Sequence, residues 1–264
     1  MITILDGIIL GFVQGIAEWL PISSEAMVTL VSLNLLKLDP EYVLSLALLL
    51  HIGTLISAII YFRSTIVRLV KNPKKYLVEW RFFTIATVIS VGLGGLIYLG
   101  LSKIVLGEFG GGILTLIMGV ALLITARLLR RTGKGGRELN QLSTVDAIIL
   151  GLTQAIAIIP GISRSGSTTA VALWRNLKPS VALEASFLMA IPMVIIGSTL
   201  LLIEGRATSA IMSPGGITAL VTTAVVGWLT ISGLITISRR WNFSRFVWWL
   251  GVITVVAGSY SLLG

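Results

Sequence analysis

Apolar residues run through this chain in long blocks, and the blocks sort by length. A helix needs about 20 apolar residues to cross the hydrocarbon core of a bilayer. Six stretches come to that size: Tyr42 to Phe62, Phe82 to Ser102, Phe109 to Ala126, Pro179 to Ile203, Gly216 to Ser238 and Phe246 to Leu263. Shorter pieces come in pairs around a break. Ile4 to Leu20 and Ala26 to Leu36 flank Pro21-Ile-Ser-Ser24, while Val145 to Ile159 and Thr168 to Trp174 flank a loop at Pro160. Two half-length helices meeting at a proline read as a re-entrant hairpin, because irregular backbone at membrane depth survives only when buried in protein or lining a polar cavity. The pattern predicts an all-α integral membrane protein with six transmembrane helices plus two re-entrant helical hairpins.

The two hairpins are copies of each other. Asp6-Gly-Ile-Ile-Leu-Gly-Phe-Val-Gln-Gly-Ile-Ala17 lies over Asp146-Ala-Ile-Ile-Leu-Gly-Leu-Thr-Gln-Ala-Ile-Ala157, with eight identities in twelve, and Ile22-Ser23 then lies over Ile162-Ser163. Both copies open with a capping-box pattern, Thr3…Asp6 and Ser143…Asp146. Both carry a small residue every fourth position, Gly7, Gly11 and Gly15 against Ala147, Gly151 and Ala155, which lets another helix come close. The chain therefore divides into a first repeat, 1–142, and a second, 143–264, each a hairpin plus three spans. Three spans between equivalent points is an odd number, so the second repeat is expected to be inverted relative to the first.

Composition agrees with the membrane reading. Of 264 residues 55% are hydrophobic and 12% charged, and the mean hydropathy is +0.98, far from a soluble domain. A net charge of +9 confined to short loops is an orientation signal, and nucleic acid is not an expected partner. Arg63, Arg68, Lys71, Lys74, Lys75, Arg81, Arg127, Arg130, Arg131, Lys134, Arg137, Arg164, Arg175, Lys178, Arg239, Arg240 and Arg245 fall on one side; Lys37, Lys103 and Arg206 fall opposite. Both termini are then expected outside, with the first hairpin dipping in from outside and the second from the cytoplasm, so that their tips meet near the middle of the bilayer. Met1 to Asp6 lack a basic stretch before the apolar run, so no removable signal is expected. With no cysteine and one histidine, thiolate, zinc and iron centres are improbable, and any metal is expected to be a hard cation held by oxygen.

The hairpin tips carry the candidate chemistry. An arginine at membrane depth costs at least ~2.5 kcal/mol, so Arg164 needs a task or an escape. One reading is a side chain snorkelling to the cytoplasmic surface. The other is anion binding, in which the guanidinium fork, the hydroxyls of Ser163, Ser165 and Thr168, tight backbone at Gly166 and the N–H groups of a starting helix hold a phosphate. At the first tip Gln14 and Glu18 share a helix face, and Ser23 and Ser24 present oxygen nucleophiles. Glu18 reads as a functional carboxylate or as an ion-pair partner for Arg164; Ser24 reads as a nucleophile or as a helix cap. His51 reads as a hydrogen-bonded packing residue within the first full span.

At these tips the sequence resembles the undecaprenyl diphosphate phosphatase family, the bacitracin-resistance membrane phosphatases. That family's first motif reads approximately (E/Q)GxxE(F/W)LPxSSxGH, and "QGIAEWLPISSEAM" matches it through Gln14, Gly15, Glu18, Trp19, Leu20, Pro21, Ser23 and Ser24. The second, PGxSRSGxT, is met by Pro160, Gly161, Ser163, Arg164, Ser165, Gly166 and Thr168. "EASFLMAIP", Glu184 to Pro192, is also similar to a family segment. The resemblance implies removal of the terminal phosphate from a polyprenyl diphosphate, recycling a lipid carrier for envelope synthesis at a multi-pass cell-membrane site open to the outer side. It implies Ser24 as nucleophile, Glu18 as base or divalent-metal ligand, Arg164 with Ser163, Ser165 and Thr168 as the diphosphate clamp, and magnesium or calcium as helper. Partners are then the lipid diphosphate and the bilayer, with a homodimer allowed.

The chain departs from that family where Gly-His would follow the serines. Ala26-Met27 stands there, and methionine neither accepts nor donates a catalytic proton. Either Glu18 takes over base duty or hydrolysis is slow. A second class stays open on the sequence: inverted repeats with broken helices also build transporters, so the chain reads alternatively as a polyprenyl-phosphate flippase without hydrolysis.

Overall fold

Among the described residues, each apolar block predicted to be helical contains a helix. The computed structural model describes residues 2–20, 22–108, 111–130, 135–159, 162–203, 213–237 and 243–263. Pro21, Pro160, Gly161 and five of the loop basic residues, Arg131, Lys134, Arg206, Arg239 and Arg240, lie outside them. The elements are α1 (Ile4–Ala17), α2 (Ser24–Leu30) with a π turn (Val31–Leu35), α3 (Pro40–Tyr61), α4 (Arg63–Lys71), α5 (Leu77–Glu108) and α6 (Gly111–Arg130). After a 3-10 turn (Leu139–Gln141) come α7 (Thr144–Ile156), α8 (Arg164–Trp174), α9 (Pro179–Ile203), α10 (Pro214–Ile237) and α11 (Phe243–Leu263).

Among the described residues three helices are long and apolar enough to cross a membrane: Leu77–Gly100, Pro179–Leu200 and Pro214–Thr236. A fourth counts if Leu49–Tyr61 and Arg63–Lys71, bent by 68°, form one span. Large apolar side chains on these helices stay uncovered, among them Val88, Leu96, Leu99, Val221 and Leu229. Such a surface is stable only against hydrocarbon. The protein is an all-helical, multi-pass membrane protein. α1 and α7 are apolar and shorter, at 14 and 13 residues.

The chain forms two compact units, one of Met1–Leu20, Ser24–Arg68 and Ala190–Thr236, the other of Pro21–Ser23, Leu69–Met189 and Ile237–Gly264. Each draws residues from both sides of residue 142. In the first unit the small-residue stripe of α1 lies on α10. A Cβ added at Gly7 would sit 2.2 Å from the Gly215 carbonyl oxygen, and one at Gly11 2.6 Å from that of Ala219. Backbones meet there because no side chain stands between them. The core alongside is Leu10, Val28, Leu46, Leu49, Leu50 and Ala219.

In the second unit α7 lies on α5 in the same way. A Cβ at Gly151 would come within 2.9 Å of the Ala86 carbonyl oxygen, and Ser90 Oγ donates to the Gly151 carbonyl at 3.1 Å. Gln154 Nε2 donates to Ser90 Oγ at 3.2 Å and to the Met189 carbonyl at 3.2 Å. Phe82, Ala147, Leu150, Leu177, Ala182 and Met189 form the core of this unit. Each hairpin thus packs its stripe onto a span from the other sequence repeat.

Candidate active site

The first hairpin assembles a buried polar cluster from three helices. Thr3 Oγ1 accepts from Asp6 N at 3.1 Å and Thr3 N donates to the Asp6 carboxylate at 2.8 Å, the expected capping box, which sets where α1 begins. That start puts Gln14 and Glu18 on one face a turn apart, and Gln14 Nε2 donates to Glu18 Oε2 at 3.0 Å. The chain reverses at Ser23, whose φ of 59° is left-handed, a conformation uncommon outside glycine. α2 then starts on Ser24, and Ser24 Oγ donates to the same Glu18 oxygen at 2.7 Å. Glu18 is 6% exposed and Ser24 8%. A hydroxyl bonded to a carboxylate away from water already has an acceptor for its proton, which is what a serine nucleophile requires.

A third side chain reaches that oxygen. His51, in the middle of α3, places Nε2 3.2 Å from Glu18 Oε2. Sequence reasoning left it as a packing residue; its only signal was being the single histidine of the chain, set in an apolar span. Glu25 lies in the first turn of α2.

The second hairpin is anchored at its mouth. Asp146 is fully buried and accepts from Arg137 Nη2 at 2.7 Å, Arg175 Nε at 2.6 Å, Ser143 N at 2.7 Å and Ser143 Oγ at 2.8 Å. Burial alone would raise its carboxyl, but the hydrogen bonds from Arg137, Arg175 and Ser143 outweigh it and hold the group well below the usual carboxylate range. Arg137 N also donates to the Asn176 carbonyl at 2.9 Å and Lys178 N to the Arg137 carbonyl at 3.1 Å, an isolated bridge that joins the segment ahead of α7 to the turn after α8. Two arginines counted in the sequence as orientation signals therefore clasp the two ends of the hairpin.

At the tip, α8 starts on Arg164 with Ser163 as its cap: Ser163 Oγ accepts from Gly166 N at 3.2 Å and stands 3.4 Å from Ser165 Oγ. Arg164 Nη1 donates to the Ser186 carbonyl of α9 at 3.2 Å, and Thr168 Oγ1 lies 2.6 Å from Ser186 Oγ. Thr168 Oγ1 also donates to the Arg164 carbonyl at 2.6 Å, and Ser167 Oγ to that of Ser163 at 2.5 Å. Ser163 Oγ thus satisfies a helix-start N–H, while Thr168 Oγ1 bonds a carbonyl one turn back in its own helix. Ser186 is the residue that sequence reasoning missed. It lies in the "EASFLMAIP" segment, but nothing in its spacing assigned it a partner.

Ser24 and Arg164 hold equivalent positions, 140 residues apart in the aligned hairpins, and each is the first residue of the helix after the break. The structure brings Gln14, Glu18, Ser24 and His51 together in one unit, and Ser163, Arg164, Ser165, Gly166 and Thr168 in the other.

Glu18 Oε2 is met by an amide N–H, a hydroxyl and an imidazole rather than by further acceptors. Among the described residues no group of three or more His, Cys, Asp or Glu side chains is placed to hold a metal ion. A calcium site needs six or more oxygens, and magnesium near-octahedral geometry.

The family described as bacitracin resistance protein BacA matches residues 7–256. A protein of Methanothrix thermoacetophila named undecaprenyl-diphosphatase is 33% identical over 252 residues, 95% of each chain. Proteins of the same name from Methanopyrus kandleri and Haloarcula marismortui are each 34% identical, covering 97% of this chain and 96% and 97% of their own.

Proposed function

The chain belongs to the family of bacitracin resistance protein BacA, and from that premise we propose that it is a polyprenyl diphosphate phosphatase. It hydrolyses undecaprenyl diphosphate, or a lipid diphosphate of that class, to the lipid monophosphate and inorganic phosphate. The observation that carries the reading is the buried 2.7 Å hydrogen bond from Ser24 Oγ to Glu18 Oε2. Ser24 Oγ attacks the terminal phosphorus as its proton passes to Glu18. The bond from that phosphorus to the bridging oxygen breaks as Glu18 passes the proton to that oxygen, and the lipid monophosphate leaves. Water then attacks the phosphoserine and gives a proton to the regenerated Glu18 carboxylate, which hands it to Ser24 Oγ as inorganic phosphate departs. Arg164 neutralises charge on the transferring phosphoryl oxygens, the dominant need in such a transfer. Ser163, Ser165, Gly166 and Thr168 shape the anion-binding tip around it, and Gln14 holds the Glu18 carboxylate. Magnesium or calcium enters only as a companion of the diphosphate, and no step is routed through it.

The flippase reading is not retained: a carrier of an anionic lipid gains nothing from a carboxylate aimed at a serine. The finer topology in this proposal is six spans and two re-entrant hairpins in inverted repeats, termini outside, with the site open to the outer face and a homodimer allowed. Single cysteines placed in a chain that has none test it by labelling from either side of sealed vesicles. The activity is tested with purified protein in detergent and polyprenyl diphosphate, with and without magnesium or calcium. Phosphate release by the unaltered protein and its loss in Ser24→Ala, Glu18→Gln and Arg164→Ala support the proposal; lipid binding without release under every condition sinks it.

A further inference from the structure

One side chain at the Glu18 cluster has no part in the chemistry above. His51 Nε2 stands 3.2 Å from Glu18 Oε2, the oxygen that accepts from Ser24, and it arrives from a different helix. The helix that delivers it is fixed in place. A Cβ at Gly53 would come within 2.8 Å of the Leu220 carbonyl oxygen, Ser57 Oγ donates to the Ala224 carbonyl at 3.1 Å, and Leu49 and Leu50 are fully buried. The imidazole therefore does not drift toward the carboxylate as a surface side chain would; α3 holds it there.

We propose that His51 is a positioning residue of the phosphatase: it donates from Nε2 to Glu18 Oε2 and keeps the carboxylate ionised and aimed at Ser24. This rests on the function proposed above. A carboxylate with 5% of its side chain exposed has lost most of its water and needs donors to stay charged. Gln14 supplies one N–H from the same helix, and His51 supplies a second from across the cluster. Fixed between two donors, the carboxylate keeps one orientation while the Ser24 proton moves onto it. Position 27, three residues after Ser24 in α2, carries a thioether and offers no such donor.

A packing role and a positioning role predict opposite rankings of two substitutions. His51→Leu preserves apolar volume and removes the donor; His51→Gln keeps an N–H and loses the ring. Positioning predicts that kcat falls about 10- to 100-fold in His51→Leu, with KM for the lipid diphosphate within about threefold, and that His51→Gln recovers most of kcat. A packing residue would give the reverse order, and that order, or equal kcat in all three proteins, overturns the proposal. Because His51 is the only histidine in the chain, its ring can also be read without turnover. In folded protein labelled with 15N-histidine, the Nε2–H resonance should be visible, slow to exchange, and displaced in Glu18→Gln. A spectrum unchanged by Glu18→Gln overturns the inference even if His51→Leu fails to fold. Unaltered protein that releases no phosphate ends the functional reading alone, while the ring spectrum still decides the contact.

Discussion

Ser24 Oγ and Glu18 Oε2 are 2.7 Å apart across the break in the first hairpin, although six residues and a chain reversal separate them in sequence. Both side chains are buried, and the carboxylate oxygen that accepts from Ser24 also meets Gln14 Nε2 and His51 Nε2. Ser24→Ala and Glu18→Gln should each lower kcat by about 10³-fold, and the double variant should be little worse than either, because the pair acts as a unit. Phosphate release in detergent measures this. Independent, multiplying losses would mean the two residues do not share a step.

Arg164 Nη1 donates to the Ser186 carbonyl of α9 at 3.2 Å, and a guanidinium presents a planar fork of donors that suits an anion. Arg164→Lys keeps the charge and loses the fork. KM for the lipid diphosphate should rise about tenfold or more, with a smaller rise in Ser186→Ala, which removes only the hydroxyl beside Thr168. Equal KM in Arg164→Lys and unaltered protein would assign the arginine to structure.

Asp146 ties stability to acidity. A carboxyl held low by folding contributes stability that is fully present above its ordinary value of 3.8 and is lost as pH falls through its folded value. Asp146→Asn should cost about 2–4 kcal/mol near neutrality, less than a sealed pair because the side chains of Arg137 and Arg175 keep 30% and 37% of their surface exposed. Below pH 4 the gap between the two proteins should close. Thermal unfolding in detergent across that range reads both; a gap independent of pH would refute the assignment.

The glycine stripe on α1 predicts a steep local penalty. Gly11→Leu would force a side chain where a Cβ alone already comes within 2.6 Å of the Ala219 carbonyl oxygen, and should destabilise by about 1–3 kcal/mol with loss of activity. Gly95→Ala, where nothing lies within 4 Å, should be neutral or stabilising by up to about 1 kcal/mol.

Much of this was readable from residues. The 140-residue self-match located both hairpins, the capping boxes at Thr3 and Ser143 gave their starts, and i, i+4 spacing paired Gln14 with Glu18. Those features are local, so periodicity and turn chemistry carry them. His51 and Ser186 were not readable as partners, because each meets its tip from another helix, at a separation no local pattern encodes. The double use of the Thr168 hydroxyl was hidden for a related reason: motif letters give the atoms present, while the buried backbone decides which of them are already engaged.

Ser24 and Arg164 stand at one and the same address in two copies of a duplicated motif. A symmetric pair of identical hairpins would offer two hydroxyls there, or two guanidinium groups, and neither pair alone both attacks and binds. Two copies on one chain can differ at that address, and the proposed function uses the difference, a hydroxyl in one and a guanidinium in the other. Exchanging the two residues, serine for arginine and arginine for serine, keeps the composition yet moves each away from the neighbours that give it meaning.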